Sequence, residues 1–118
     1  MKLFVYGTLR KGCGNHEHFL RGKEPLCVDM LTNFKMYNLG AFPAIVESTD
    51  KNDYVVVEIY EINDAELKAI DRLEGYPRFY NRKEVSTVTG NTGFVYYQTE
   101  DKAEAYWVHI PGGDWVRR

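Results

Sequence analysis

The sequence predicts an α+β fold in which a small mixed β-barrel is flanked by short helices. β-forming residues recur in many short runs, and the turn-rich joint Gly90 to Gly93 separates two of them. Only one segment, Asn63 to Gly75, has both the period and the end signals of a well-bounded helix. A chain of 118 residues holds one modest core and is too short for two, so residues 1–118 are expected to form one domain. Hydrophobic residues at 44% and charged residues at 27% exclude disordered and fibrous classes.

The first strand covers Lys2 to Tyr6 and runs into a stretch holding Gly7, Gly12 and Gly14. Glycines just past a strand let the backbone turn tightly and leave its N–H groups open to a ligand. A short helix is expected over His16 to Arg21, and Pro25 to Gly40 mixes β-formers with polar residues. Phe42 to Glu47 reads as a partly buried strand, with Pro43 at an edge or a strand start. Asp53 to Ile62 is the strongest strand signal, with Val55, Val57 and Ile59 on one face and Val56, Tyr60 and Ile62 on the other. Both faces should therefore be covered. Arg82 to Thr89 and Phe94 to Thr99 read as a hairpin, and Glu104 to Ile110 closes the strand set.

In the one bounded helix, Asn63 and Glu66 make a capping-box pair, Gly75 sits at C′ and Pro77 lies beyond. Leu67, Ile70 and Leu73 form its apolar face, and Lys68 and Arg72 lie opposite. Glu74 falls between Leu67 and Ile70 on the helical wheel, and Asp71 lies at the edge of the same face. Burial and the negative end of the helix dipole would both raise the pKa of Glu74, which suits a general base. The other readings are a frayed last turn that leaves Glu74 in solvent, or an ion pair with Arg78 or Arg82.

The net charge of −2, with no basic run beyond two residues, excludes a protein whose affinity comes from neutralising phosphates, so no nucleic-acid partner is expected. No apolar run approaches the roughly 20 residues that cross a bilayer, so no membrane partner is expected and a cytoplasmic location is. Cys13 and Cys27 are expected to be free thiols. Around GTLRKG the lysine precedes Gly12 and Cys13 stands where a phosphate loop would carry its lysine. Cys13, His16, His18 and Cys27 match no strong metal spacing, so no metal site is expected. Cys13 as a nucleophile beside His16 is a further catalytic option, without an evident group to orient the histidine.

Taken together, VYGTLR at Val5 to Arg10, with Gly12 and Asn15-His16 after it, and IDRLEGYPRFYNR at Ile70 to Arg82 resemble the γ-glutamylcyclotransferase-like superfamily, in particular its AIG2-like and γ-glutamylamine cyclotransferase members. The strand VVVEIYEI and the terminal GGDW are similar to further parts of that family, so the likeness covers nearly the whole chain. The resemblance implies a cavity bounded by the YGTL loop, with Glu74 as the catalytic acid/base and no metal or cofactor. It implies that Tyr6, Gly7, Thr8 and Leu9 bind the γ-glutamyl or 5-oxoproline group, with Tyr80 and Arg82 as further substrate-binding residues. The expected partner is a small γ-glutamyl compound and the expected state a monomer. Cys13 and Tyr76 are positions where the pattern varies and specificity could change. The leaving amine is not specified; Tyr37, Tyr76, Phe79 and Trp107 are candidates to line its side. A non-catalytic module that binds a small molecule in the same cavity is the alternative.

Overall fold

The computed structural model describes all residues from Met1 to Arg118. The elements run β1 (Lys2–Val5), α1 (His16–Phe19), β2 (Cys27–Thr32), β3 (Phe34–Asn38), β4 (Pro43–Glu47), β5 (Tyr54–Glu61), α2 (Asp64–Glu74), β6 (Asn81–Ser86), β7 (Thr92–Tyr97) and β8 (Val108–Ile110). A 3₁₀ turn covers Glu100–Lys102. No helix is long and apolar enough to cross a membrane.

The α+β class holds, but the strands form two sheets instead of one closed barrel. Five strands make the larger sheet in the order β2-β5-β1-β7-β6, in which only β1 and β7 pair in parallel. Three antiparallel strands make the smaller, in the order β4-β3-β8. Asn33 divides them: its left-handed backbone, φ 66°, breaks the strand between β2 and β3, so the chain leaves one sheet and enters the other. Asn is one of the few non-glycine residues that tolerates this conformation. A single parallel bridge between Val46 and Gln98 links β4 to the segment after β7.

The far edges of the larger sheet also approach each other without forming a ladder. Val88 N–H donates to the Met30 carbonyl at 3.0 Å. Buried Asp29 accepts from the Thr87 hydroxyl at 2.6 Å, the Thr89 hydroxyl at 2.5 Å and the Asn91 amide at 3.0 Å. Burial alone would raise the pKa of Asp29, but these donors outweigh it and hold the carboxyl at about 2.

Alternation along the strands builds a core on each side of the larger sheet. Phe4 of β1 and Val55, Val57 and Ile59 of β5 join Leu31, Phe34, Met36, Ile45 and Trp115. Leu3 and Val5, with Tyr60 and Ile62, join Leu9, Leu20, Ile70, Tyr80 and Tyr96. Helix α2 enters this second cluster through Ile70, which brings its C-terminal end towards the loop that follows β1.

Several ends differ from the sequence reading. Helix α1 stops at Phe19, short of the expected end at Arg21, because Leu20 leaves helical geometry at φ −128° and ψ 27°. Strand β6 ends at Ser86 because Thr87 to Gly90 is a turn, closed by Gly90 N–H to the Thr87 carbonyl at 3.0 Å. Only Val108–Ile110 of the last expected strand is extended, since Trp107 N–H returns to the Glu104 carbonyl at 3.0 Å in a turn. Pro25 to Gly40 resolves into β2 and β3.

Asp29→Ala leaves four donors without their acceptor, the Met30 N–H among them, and a loss of about 1–3 kcal/mol is expected, measured by urea unfolding at neutral pH. The native pKa lies below the ordinary 3.8, so the contribution is present above that value and is lost as pH falls towards 2. The gap between wild type and variant should therefore narrow in acid.

Candidate active site

The loop after β1 and the last turn of α2 face each other across a cavity of about 380 Å³. Phe4 to Leu9 and Asn15 line one side, Leu73 and Glu74 another, and Ala41, Phe42, Pro43, Phe79, Tyr80 and Tyr96 complete the wall. Six of the seven residues read from the sequence thus share one space: Tyr6, Gly7, Thr8, Leu9, Glu74 and Tyr80.

The loop is shaped by its own hydrogen bonds. Arg10 N–H donates to the Gly7 carbonyl at 3.0 Å, and Asn15 donates from its backbone to the Thr8 carbonyl at 3.0 Å and from its side chain to the Thr8 hydroxyl at 2.9 Å. No hydrogen bond within the chain uses the N–H groups of Gly7, Thr8 and Leu9. Unengaged main-chain donors beside a cavity are what an anionic or carbonyl oxygen needs. Gly7 is required by close approach: a Cβ there would lie 2.7 Å from Pro43 Cγ.

Glu74 is the last residue of α2, and Gly75 ends the helix in the left-handed conformation at φ 65°. Helical geometry therefore persists through Glu74, against the frayed alternative. The ion-pair alternative falls on Asp71, which Arg82 approaches at 3.6 Å, while Glu74 has no cationic partner. Burial pushes the Glu74 carboxyl up to about 7. A carboxyl titrating near neutrality can both take and return a proton.

Three buried tyrosines surround it, and each donates its proton to the protein. The Tyr6 hydroxyl donates to the Tyr96 carbonyl at 2.8 Å, Tyr80 to the Pro43 carbonyl at 2.6 Å and Tyr96 to the Asp71 carboxylate at 2.6 Å. Burial first, and then nearby groups including Glu74, holds all three phenols well above their ordinary pKa. They remain neutral hydroxyls across the physiological range.

Arg82, the seventh residue read from the sequence, does not line the cavity. It approaches Asp71 and lies over the rings of Tyr76 and Phe94, at 4.5 and 5.2 Å from their centroids. Of the aromatics read as lining the amine side, only Phe79 reaches the cavity; Tyr37 packs against Trp107 and His109 elsewhere. Phe4, Val5, Asn15, Ala41, Phe42, Pro43, Leu73 and Tyr96 are the wall residues to which the sequence reading gave no role in the site. The alternating pattern Phe94, Tyr96 on β7 was the available signal for Tyr96, whereas Phe42 and Pro43 arrive only through the second sheet.

The thiol alternatives lose their geometry. Cys13 and His16 both lie outside the cavity wall. Burial raises the Cys13 thiol, and the His16 Nδ1 is 3.0 Å from the Leu9 carbonyl with its ring against Tyr60. Both cysteines are free thiols. No three His, Cys, Asp or Glu side chains converge as metal ligands would.

Residues 3–117 match the family described as γ-glutamyl cyclotransferase, AIG2-like. The γ-glutamylcyclotransferase family protein YtfP of Escherichia coli is 32% identical over 119 residues, covering 100% of this chain and 98% of that one. Its solution structure superposes with a TM-score of 0.70 over 98% of this chain and 96% of that one, at 31% identity. An uncharacterized protein from Pyrococcus horikoshii superposes with a TM-score of 0.79 over 99% and 91% of the two chains, at 27% identity.

The raised carboxyl has a stability signature of its own. Between the ordinary 4.5 and about 7 the unfolded chain loses the Glu74 proton before the native state does, so rising pH lowers stability in that window. Glu74→Gln should remove that term, worth up to about 3 kcal/mol, and urea unfolding at pH 5 and pH 8 reads it as a smaller fall than in wild type. Gly7→Ala must displace Pro43, and a loss of about 1–3 kcal/mol is expected in the same assay.

Proposed function

The chain belongs to the γ-glutamyl cyclotransferase, AIG2-like family, and from that premise we propose that it releases an amine and 5-oxoproline from a small γ-glutamyl compound. The observation that carries this reading is a near-neutral carboxyl, Glu74, set across one cavity from the unengaged N–H groups of Gly7, Thr8 and Leu9. Nucleophile and electrophile then belong to one substrate, so the protein's work is to fold it, move a proton and hold developing charge.

Ionised Glu74 takes a proton from the substrate's α-ammonium. The freed amine attacks the γ-carbonyl carbon, forming the lactam C–N bond, and the carbonyl oxygen gains negative charge that the loop's N–H groups stabilise. The original amide C–N bond breaks as Glu74 returns its proton to the leaving nitrogen and the attacking nitrogen gives up its second proton to the same nitrogen, so 5-oxoproline and the amine in its ammonium form depart. Tyr6 and Tyr80 shape the wall around the glutamyl group, and Arg82 acts at a distance by holding Asp71, the acceptor of the Tyr96 hydroxyl. The chain works as one domain and as a monomer in the cytoplasm, without a metal or cofactor, and its fold is the partly opened equivalent of a barrel.

Mass spectrometry of 5-oxoproline from a panel of γ-glutamyl amines and γ-glutamyl dipeptides tests the reading. Glu74→Gln should lower release by about 10²- to 10⁴-fold while the circular dichroism spectrum is unchanged. No release from any compound, with ligand nonetheless bound, would favour a binding module that uses Glu74 for recognition.

A further inference from the structure

A second pocket, of about 400 Å³, opens where the ends of β3 and β8 meet the C-terminal segment, and it shares no residue with the cavity around Glu74. Its chemistry is the reverse of that cavity's: only two of its nine lining residues are hydrophobic, and His109, Arg117 and Arg118 are among the others. The chain as a whole carries a net charge of −2, so cations gathered in one pocket do not follow from composition. The Arg117 guanidinium has no hydrogen-bond or ion-pair partner within the chain. Arg118 is held in place, with its guanidinium carbon 3.4 Å from the centroid of the buried Trp115 ring and a hydrogen bond to the Trp115 carbonyl. The one side-chain carboxylate in the wall, Asp114, has its charge engaged by Arg10 at 2.7 Å. Two neutral donors complete the set. Asn38 Oδ1 accepts from the Gly40 N–H at 2.8 Å, which leaves the Asn38 Nδ2 protons free. The Gly112 N–H is accepted by no group of the chain, and neither a positive φ nor a packing contact within 4 Å of a Cβ requires glycine there. Bare backbone beside unengaged donors suits a closely approaching oxyanion.

We propose that this pocket is a second binding site, for a small ligand that presents a phosphoryl group. A carboxylate brings two oxygens and one charge, whereas a phosphoryl group brings three acceptor oxygens and about twice the charge. Two guanidinium forks, an imidazole and two neutral donors match the second better than the first. Arg117 is the free anchor, and Arg118, fixed on Trp115, offers its remaining N–H groups from a preset position. His109 joins them from β8, where its ring lies 5.5 Å from that of Tyr37. Glu74 and the loop donors Gly7 to Leu9 belong to the other cavity, so the site goes beyond the cyclotransferase reading and does not rest on it.

Titration with inorganic pyrophosphate, followed in the amide NMR spectrum, tests the proposal; ionic strength is held fixed because salt screens exposed charge pairs. The shifts should saturate at one equivalent bound and centre on Asn38, His109, Gly112 and Arg117. Citrate, of comparable charge but with carboxylate oxygens only, should bind at least about tenfold more weakly. Arg117→Ala should weaken pyrophosphate by at least about tenfold. Arg117→Lys, which keeps the charge and loses the fork, should recover only part of that loss. Arg117 is exposed, so both variants should keep the wild-type spectrum away from the pocket. Glu74→Gln should bind pyrophosphate as wild type does, which separates this site from the cavity around Glu74. Shifts that never saturate, or that centre on Gly7 to Leu9, would overturn the proposal. So would an affinity untouched by Arg117→Ala, or citrate binding as tightly as pyrophosphate.

Discussion

A buried ion-pair cluster fixes the loop on which the cavity depends. Arg10 Nε donates to Glu58 at 2.9 Å, and Arg10 Nη1 donates to Asp114 at 2.7 Å, with Arg10 and Glu58 both buried. Glu58 also accepts from the Lys11 backbone at 2.8 Å and from the Tyr60 hydroxyl at 2.7 Å. Desolvation pulls both charges towards neutrality, and it is these partners that keep Glu58 below and Arg10 above their ordinary pKa. Charges buried without such a full set of partners would be strongly unfavourable. The loop after β1 is therefore tied at Arg10 and Lys11 to β5 and at Arg10 to the C-terminal segment, and its glycines do not leave it free.

That anchorage explains how Gly7, Thr8 and Leu9 can keep their N–H groups unengaged. A mobile loop would find acceptors in water or in its own carbonyls, and any ligand would have to displace them. Here the carbonyls of Gly7, Thr8 and Leu9 are taken by Arg10, Asn15 and His16, while the donors beside them are not. The same logic governs the phenols, whose protons are committed to Tyr96, Pro43 and Asp71. Hydrogen bonding within the protein thus decides in advance which polar groups remain for a ligand, which is the structural content of preorganisation.

Local signals were legible in the sequence, and long-range ones were not. Asn63, Glu66 and Gly75 set the ends of α2 through contacts within a few residues, and the capping box forms as its spacing requires. Glu74 follows from those ends and from the helical period alone. Arg10, by contrast, finds partners 48 and 104 positions away, and nothing near it in sequence distinguishes a buried cation from a solvated one. Arg82, which the resemblance gave as a substrate-binding residue, turns in the structure to Asp71, a contact that spacing along the chain does not reveal. A small barrel or strongly curved sheet was read from strand number and spacing, whereas closure depends on edge pairing, and the edges meet through Val88 and Asp29 without a ladder.

The position of Glu74 shows stability and chemistry in opposition. A carboxyl moved towards neutrality by burial weakens the native state once pH exceeds its ordinary range, and no cation relieves it. An arginine in that wall would restore stability and depress the pKa together, leaving a weak base and a poor proton donor. The chain instead directs Arg82 at Asp71, one helical turn earlier, where Asp71 also accepts the Tyr96 hydroxyl and Glu74 is left without a cation.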